Sequence, residues 1–205
     1  MVVYTFEITG VTGPGLLQNK FDALAMITPQ PTGPRKANKP TTPEEMAWAK
    51  AYYYEEDEDG DKLEKPEFWH PSSAVYGAII NASSNHKVKG SRKSLKSLAP
   101  GALIMRDDKM PLTMPGTHEP ITEFVLDCRA VVNPSTKGRM ACIRPCFPRW
   151  VATGEIEIDD ETLDPTLVKQ LLDEAGRSIG IGDFRPQKCG PFGRFTVTLW
   201  QPSPD

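Results

Sequence analysis

The chain has 205 residues, 39% of them hydrophobic and 25% charged, which is the balance of a globular protein with a substantial core. No apolar run approaches the roughly 18 residues that a membrane-spanning helix needs, and the N-terminus lacks the basic flank of a signal peptide, so we expect a cytoplasmic protein without a membrane partner. Four cysteines are too few and too unevenly spaced for a disulfide framework, and 20 prolines predict long irregular connections.

The charge is distributed unevenly, although its sum is only −3. Two segments, 55–61 and 155–164, hold six carboxylates each, so the rest of the chain is basic. Within ten residues of that remainder, five cations occur without one acid, among Gly and Ser residues that are typical of a loop. These cations are Lys87, Lys89, Arg92, Lys93 and Lys96. The stretch is either a solvated loop or a contact for nucleic acid.

The N-terminal half begins with a predicted strand and continues into an irregular region. Residues 2–9 are rich in strand formers and stop at Gly10. Five prolines and three cations in 27–43 exclude a continuous helix or interior strand and predict an exposed loop, long enough to reach a neighbouring copy. Thr42 then precedes a helix with proline at its first position, and this helix leads into the acidic tract.

The C-terminal half alternates helices with extended segments. Apolar residues at three- to four-residue spacing predict a short helix over 71–82 and a second helix over 165–178. A final strand over 194–200 shows strict alternation. Between the helices, four extended segments are typical of an antiparallel set: 102–106, 123–132, 139–145 and 150–158.

This order of elements predicts the fold class. Strand, helix, several strands, helix and strand indicate an α+β protein with a ferredoxin-like, RNA-recognition-type antiparallel sheet packed on two helices. We expect a single domain over 1–205, with a Pro-rich and acidic insertion at about 27–69 and a basic loop insertion at about 86–120. The first and last strands then share one sheet, whose open face and loops form the expected binding surface.

The segment 180–193, between the second helix and the last strand, combines glycines, cations and aromatic residues. Glycines allow backbone N–H groups to approach phosphate oxygens, while cations add charge and aromatic rings offer faces for base stacking. The glycines are Gly180, Gly182, Gly190 and Gly193, the cations are Arg185, Lys188 and Arg194, and the rings are Phe184 and Phe192. The alternative is a tight turn that only closes the sheet.

Three motifs in this chain resemble those of a known family. The runs Gly-Ile-Gly-Asp-Phe-Arg-Pro at 180–186 and Gly-Pro-Phe-Gly-Arg-Phe at 190–195 resemble the glycine-rich loop of the RAMP superfamily. The run at 70–78 is similar to the first-helix motif of that superfamily, and 2–9 with 13–17 is similar to its first strand and loop. The superfamily comprises RNA-binding subunits of CRISPR effector complexes and stand-alone relatives carried by phages or mobile elements.

The resemblance implies a protein that holds single-stranded RNA or DNA, in most such subunits a guide RNA, along the first helix, the glycine-rich loop and an inserted hairpin. It also implies a homo-oligomer or a subunit of a nucleoprotein complex, without a cofactor. Ser72 and Ser73 would bind phosphate at the helix N-terminus, with simple capping as the alternative. Tyr76, one turn further, is either part of this surface or a core aromatic residue.

Other functions remain open at this level. A metal-independent endoribonuclease of the same fold would use a histidine as general acid or base, and His86, beside two lysines, is the best candidate. A structural or inhibitory protein would instead use its two acidic tracts to imitate nucleic acid or to dock a partner. No metal site is expected, because Cys142 and Cys146 have no second pair of ligands, and 57–61 lacks the glutamate of a calcium loop.

Overall fold

The computed structural model describes residues 1–11, 13–21, 42–57, 60–132 and 137–204. The predicted Pro-rich loop lies outside these ranges apart from residues 42 and 43, and so do residues 58 and 59 of the first acidic tract. No helix within the described ranges is both long enough and apolar enough to cross a bilayer.

The described residues form short helices and mostly longer strands. The strands are β1 (Val2–Gly10), β2 (Leu16–Leu17), β3 (Tyr53–Glu56), β4 (Lys62–Pro71), β5 (Leu103–Met105), β6 (Lys109–Thr113), β7 (Val125–Val132), β8 (Arg139–Phe147), β9 (Val151–Ile158) and β10 (Phe195–Pro202). The helices are α1 (Pro43–Trp48), α2 (Ser72–Ala82), α3 (Ala99–Ala102) and α4 (Pro165–Glu174), and α4 continues as a π-helical turn, Ala175–Ile179.

The main sheet has the strand order β10-β1-β9-β6-β4-β3, and β5 also pairs with β9. Every pair in it is antiparallel, and β1 lies between β9 and the last strand of the chain. The two longer helices, α2 and α4, contact each other and pack against the sheet. The predicted ferredoxin-like α+β fold is therefore confirmed, including the shared sheet of the first and last strands.

The core lies between this sheet and the two helices. Alternate side chains of β1 point into it, and the apolar stripes of α2 and α4 meet them from the other side. α4 begins where the Asp164 carboxylate accepts the N–H of Thr166 at 2.7 Å. Residues with 0% exposure in this core include Phe6, Ile8, Val75, Ile79, Val168 and Leu172.

A second, three-stranded sheet has the order β2-β8-β7. The extended segments predicted at 123–132 and 139–145 belong to this sheet, so the four segments do not form one antiparallel set as expected. β8 also pairs with β2 through Leu16 and Phe147, immediately after the loop that follows β1. The second sheet is thereby attached to the side of the molecule that carries the N-terminal loop.

Three strands of the main sheet were not predicted: β3, β4 and β6. β4 is highly charged and contains Pro66, and β6 contains Pro111, and proline inside a run argues against an interior strand. Their pairing comes from distant partners instead, because Trp69 to Pro71 of β4 align with Lys109 to Pro111 of β6. No local pattern in the sequence reports such a contact.

Candidate functional site

A groove with a volume of about 330 Å³ separates α2 from residues 180–193, called the glycine loop below. The π-helical turn packs against α2 and leads directly into the glycine loop, which holds the two walls together. The structure thus brings the first helix and the glycine-rich segment to one place. The polar lining of the groove is supplied by Asn19, His70, Ser73, Asn81, Asp183 and Arg185.

The α2 wall presents a stripe of small and polar residues. Ser73, Gly77 and Asn81 are spaced by four residues, so they lie above one another on one helix face. A Cβ at Gly77 would meet no atom within 4 Å. The Asn81 amide donates a hydrogen bond to the Gly77 carbonyl at 2.6 Å. This wall therefore leaves open space in the middle of the groove.

Two predicted residues of α2 lie off this stripe. Ser72 is buried, and its backbone N–H donates to the Asp108 carbonyl at 3.0 Å, so this N–H is not free for a phosphate. The capping alternative is also wrong, because Pro71 is the N-cap residue and makes no side-chain cap. Tyr76 donates its hydroxyl to the Pro100 carbonyl at 3.2 Å and packs against the core. Only Ser73 of the three lies on the described groove lining.

The glycines of the glycine loop are required by close packing of the chain. A Cβ at Gly190 would lie 1.8 Å from the Phe184 carbonyl oxygen, and one at Gly193 would lie 1.7 Å from that of Ile181. Gly193 also has a positive φ of 69°. Substitution at either position would therefore damage the loop itself, so neither can serve as a probe of ligand binding alone.

The loop's backbone N–H groups are mostly engaged within the protein. Those of Ile181, Asp183, Gly190 and Gly193 donate to carbonyl oxygens at distances from 2.8 to 3.0 Å. The expectation that Gly190 and Gly193 offer N–H groups to a phosphate is therefore wrong. Gly180 and Gly182 do line the groove, both with positive φ.

The three predicted cations of the glycine loop point to different places. Arg185 lines the groove, and its guanidinium donates to the Gly182 carbonyl at 2.9 Å and to Gln187 at 3.0 Å. Lys188 is exposed on the outside of a short turn, and Arg194 donates to the Arg177 carbonyl at the end of α4. Within the described chain, the groove thus receives only Arg185 of the three.

Phe192 cannot stack on a base in this conformation. Its side chain is 1% exposed and packs against Leu17 and Cys146, and the guanidinium of Arg129 lies 4.5 Å above its ring. The half-exposed Tyr52 lines the groove instead. Burial raises the pKa of the Tyr52 hydroxyl, so Tyr52 stays neutral at physiological pH. Sequence reasoning missed it, because the sequence pattern places Tyr52 in the body of the predicted helix, which in the structure ends at Trp48.

A buried arginine anchors the glycine loop to the second sheet. Arg144 on β8 is 2% exposed, and it donates to Asp183 at 2.8 Å and to Asp127 at 3.0 Å. Although burial opposes the charge, the hydrogen bond and charges of the two aspartates hold the pKa of Arg144 above its ordinary value. Asn19 donates to the same Asp183 oxygen at 3.2 Å. Asp183 is therefore the point at which three parts of the chain meet.

The floor of the groove contains His70, which is 2% exposed. Burial lowers the pKa of His70 to about 3, so the ring is neutral at physiological pH. Its Nδ1 lies 3.4 Å from the amide nitrogen of the fully buried Gln18. In the sequence, His70 is marked only as the first residue of the run that resembles the first-helix motif.

The basic stretch forms a small hairpin at the C-terminal end of α2. Lys87 and Ser94 form an isolated β-bridge, and residues 87–96 are called the basic hairpin below. All five of its cations are exposed, and none makes a salt bridge with a residue that the structure describes. The half-buried Val88 packs against the core and fixes the hairpin to the body.

His86, the predicted candidate for acid-base chemistry, lies beside a carboxylate. Its Nε2 is 2.7 Å from Glu174, and hydrogen bonds from Asn85 and His86 hold the pKa of that carboxyl below its ordinary value. A negative charge at this distance disfavours a phosphate next to the imidazole. Among the described residues, no three His, Cys, Asp or Glu side chains come close enough together to bind a metal ion.

The open face of the main sheet carries carboxylates. Glu7, Glu155 and Glu157 lie on the face opposite the core, where they accept hydrogen bonds from Thr198, Ser203 and Arg106. A phosphate backbone is therefore disfavoured on this face, contrary to the expectation for the fold class. The tract 155–164 lies on β9 and the turn after it, and the described residues of the tract 55–61 lie at the end of β3 and in the turn between β3 and β4. In the sheet, β6 lies between β9 and this hairpin.

Comparisons with known proteins give a fold and no sequence family. No family model and no curated protein matches the sequence. A chain in the cryo-EM structure of the Type III-B Cmr-beta complex bound to cognate target RNA is similar with a TM-score of 0.56 and 11% identity, over 98% of this chain and 60% of that one. This chain thus spans less than two thirds of that subunit.

A chain of the Type IV-B CRISPR complex is similar with a TM-score of 0.49 and 11% identity, over 96% of this chain and 90% of that chain. The similarity to the Cmr-beta subunit concerns the fold alone, and it agrees with the motifs of the first strand, first helix and glycine loop. The protein has a RAMP-like fold.

Proposed function

We propose that this protein binds single-stranded nucleic acid, and RNA in particular, in the groove and along the basic hairpin. The observation that carries the proposal is the position of α2. Its Ser73–Gly77–Asn81 stripe lines the groove, and its C-terminal end leads into five exposed cations that have no acidic partner among the described residues. The similar Cmr-beta subunit belongs to a complex with target RNA, which supports an RNA partner.

The groove and the hairpin have different tasks in this proposal. The basic hairpin contacts phosphates, because its lysines and arginine are exposed and unpaired in the described structure, and it supplies most of the salt-dependent affinity. The groove contains one cation, Arg185, held by its own loop, so it recognises the polar atoms of a nucleotide through hydrogen bonds. Tyr52 offers a ring edge or face to a base at the groove wall.

The protein holds the strand without cleaving it in this proposal, as a subunit of a cytoplasmic nucleoprotein complex or as copies arranged along one strand. The best candidate for general acid-base chemistry, His86, is paired with Glu174 outside the groove lining. The acidic open face is left for contacts that do not involve phosphates.

Gly77 provides the direct test. Because a Cβ there meets nothing within 4 Å, the variant Gly77→Gln places a side chain into the groove without a clash. Replacing a helical glycine removes a destabilising residue worth about 0.5–1 kcal/mol, so the fold should be at least as stable as in the parent. We expect the affinity for a fluorescent single-stranded RNA to fall by at least about 10-fold, which is the loss of one or more good contacts.

Gly101 provides the matched control. It lies in α3, away from the groove lining, and a Cβ on it also meets nothing within 4 Å. Gly101→Gln should therefore bind RNA like the parent. If Gly77→Gln is folded and binds RNA as tightly as the parent does, the groove is not part of the RNA-binding surface.

A further inference from the structure

The floor of the groove contains a hydrogen-bond donor that has no partner. The Nε2 atom of His70 is buried and makes no hydrogen bond with any residue that the structure describes. Buried polar atoms without a partner are uncommon in folded proteins, and each one calls for an explanation such as a bound ligand. His70 also lines the groove, so the explanation is to be sought there.

The hydrogen bonds of Gln18 determine which ring nitrogen of His70 carries the proton. The Gln18 Oε1 accepts the backbone N–H of Tyr52 at 2.8 Å, and its Nε2 donates to the Trp69 carbonyl at 2.6 Å. The Tyr52 N–H can only donate and the Trp69 carbonyl can only accept, so the side-chain amide of Gln18 cannot be flipped. The second hydrogen of its nitrogen then points at His70 Nδ1, which accepts it. The neutral ring must therefore carry its proton on Nε2.

The chemistry of the groove favours a hydroxyl group as the partner of this N–H. Asp183 lies in the same groove, and its carboxylate, which is paired with Arg144, also accepts a hydrogen bond from Asn19. A phosphate oxygen only accepts, whereas a hydroxyl both accepts and donates. The guanidinium of Arg185 in the lining already donates to Gly182 and Gln187, so a ribose hydroxyl, which can accept from His70 and donate to a neighbouring acceptor, suits the groove better than a phosphodiester.

We propose that His70 Nε2–H donates to a ribose 2′-hydroxyl in the groove and thereby selects RNA over DNA. The 2′-hydroxyl is the group by which a protein distinguishes the two at a given site. RNA would gain this hydrogen bond, whereas DNA lacks the hydroxyl and would leave the His70 donor without a partner, as it is in the free protein. The inference rests on the proposed function, since it concerns which strand enters the same groove.

The test compares RNA and DNA of one sequence, titrated as fluorescent oligonucleotides into the parent, His70→Leu and His70→Gln. The parent should bind RNA about 10- to 100-fold more tightly than DNA, the effect of one buried hydrogen bond. His70→Leu should lose this preference through weaker RNA binding, with its DNA affinity unchanged. His70→Gln retains an N–H donor and should keep part of the preference. As a control, charge reversal in the basic hairpin should weaken the binding of RNA and of DNA by the same factor.

A second measurement observes the ring of His70 directly in the parent and uses His70→Leu only to assign its signal. In ¹⁵N–¹H spectra of the parent, the imidazole signal that is missing from His70→Leu should show a proton on Nε2, and it should shift on addition of RNA but not of DNA. RNA and DNA binding of equal strength, or a His70 signal unmoved by bound RNA, would overturn the inference and leave the proposed function standing. Failure of the parent to bind either strand would overturn both.

Discussion

Two buried residues, Gln18 and Arg144, determine how the groove is built. Gln18 joins the segment after β2 to backbone groups of Tyr52 and Trp69, and Arg144 joins β8 to Asp183 of the glycine loop. Losing one partner of such a buried pair leaves an unsatisfied polar group or charge, which costs more than the bond itself. The groove is therefore preorganised by residues that do not contact a ligand.

The buried imidazole of His70 predicts a pH dependence of stability. Burial lowers its pKa to about 3, while the unfolded chain has the ordinary value of about 6.5. Between these values the unfolded state binds the extra proton, so His70 contributes stability above pH 6.5 that is lost as the pH falls. We expect each pH unit below 6.5 to cost on the order of 1 kcal/mol of stability, so the loss should reach roughly 3 kcal/mol at pH 4.5.

The check is urea unfolding of the parent and of His70→Gln from pH 7 to pH 4.5. Carboxylates contribute equally to both proteins, so the difference in unfolding free energy isolates His70. The unfolding free energy of the parent should fall relative to that of His70→Gln as the pH is lowered. A difference that is constant over the range would show that the ring is accessible to protons in the folded state.

Among the elements, the basic hairpin makes the clearest electrostatic prediction. Charge reversal to Glu at Lys89, Arg92 and Lys93 should weaken binding to an unstructured RNA, because each exposed cation neutralises one phosphate. For single strands the slope of log K against log salt is about −0.7 per contact, so the slope should become flatter by roughly 2. Binding isotherms at four salt concentrations measure both quantities.

The matched control reverses three exposed cations elsewhere on the surface that also form no salt bridge with a described residue: Lys62, Lys137 and Arg139. The net charge of the control protein is the same, but these cations lie on β4, just before β8 and at the start of β8, outside the groove and hairpin. The control should keep at least the parent's slope. If both triple variants lose affinity equally, the protein attracts nucleic acid only through its total charge.

The elements that could be predicted from sequence are those with a local signal. β1, α2, α4 and β10 have regular apolar periodicity and clear starts or stops, and their boundaries agree with the prediction within a few residues. β4 and β6 lack such a signal because they pair with distant strands, and β3 is a short, acidic strand that pairs, among the strands that the structure describes, only with its neighbour β4. The split into two sheets is likewise set by the contact of β8 with β2, which no periodicity encodes.

The site could be predicted only at the level of segments. The glycine-rich run and the first-helix motif do meet, but which of their side chains line the groove depends on helix phase and loop closure. Tyr76 and Phe192 have suitable chemistry and point elsewhere, whereas Tyr52 and Asn19 reach the groove from distant parts of the chain. Residue types alone do not distinguish these cases.

On the scale of the whole molecule, β7 and β8 form an arm that exposes apolar side chains on both of its faces. Val125, Val132 and Met140 are exposed by 57%, 58% and 52%, and within the described residues β7 pairs with β8 alone. Exposed apolar groups on an edge strand are typical of surfaces that contact another chain. A contact between copies through these few side chains is too weak to hold free copies together. Two copies bound to one strand have a high effective concentration for each other, so the same contact can then form.

We therefore predict assembly that depends on the length of the strand. Light scattering should give the mass of one copy alone or with a short RNA, and multiples of that mass with an RNA long enough for several copies. The double variant Val132→Lys, Met140→Lys adds charge repulsion to the arm, so it should bind the short RNA like the parent but lose cooperativity on the long one. An unchanged mass at saturating protein, with and without the long RNA, would contradict the prediction. Equal cooperativity of parent and variant would show that copies meet through another surface, such as the Pro-rich segment 27–43.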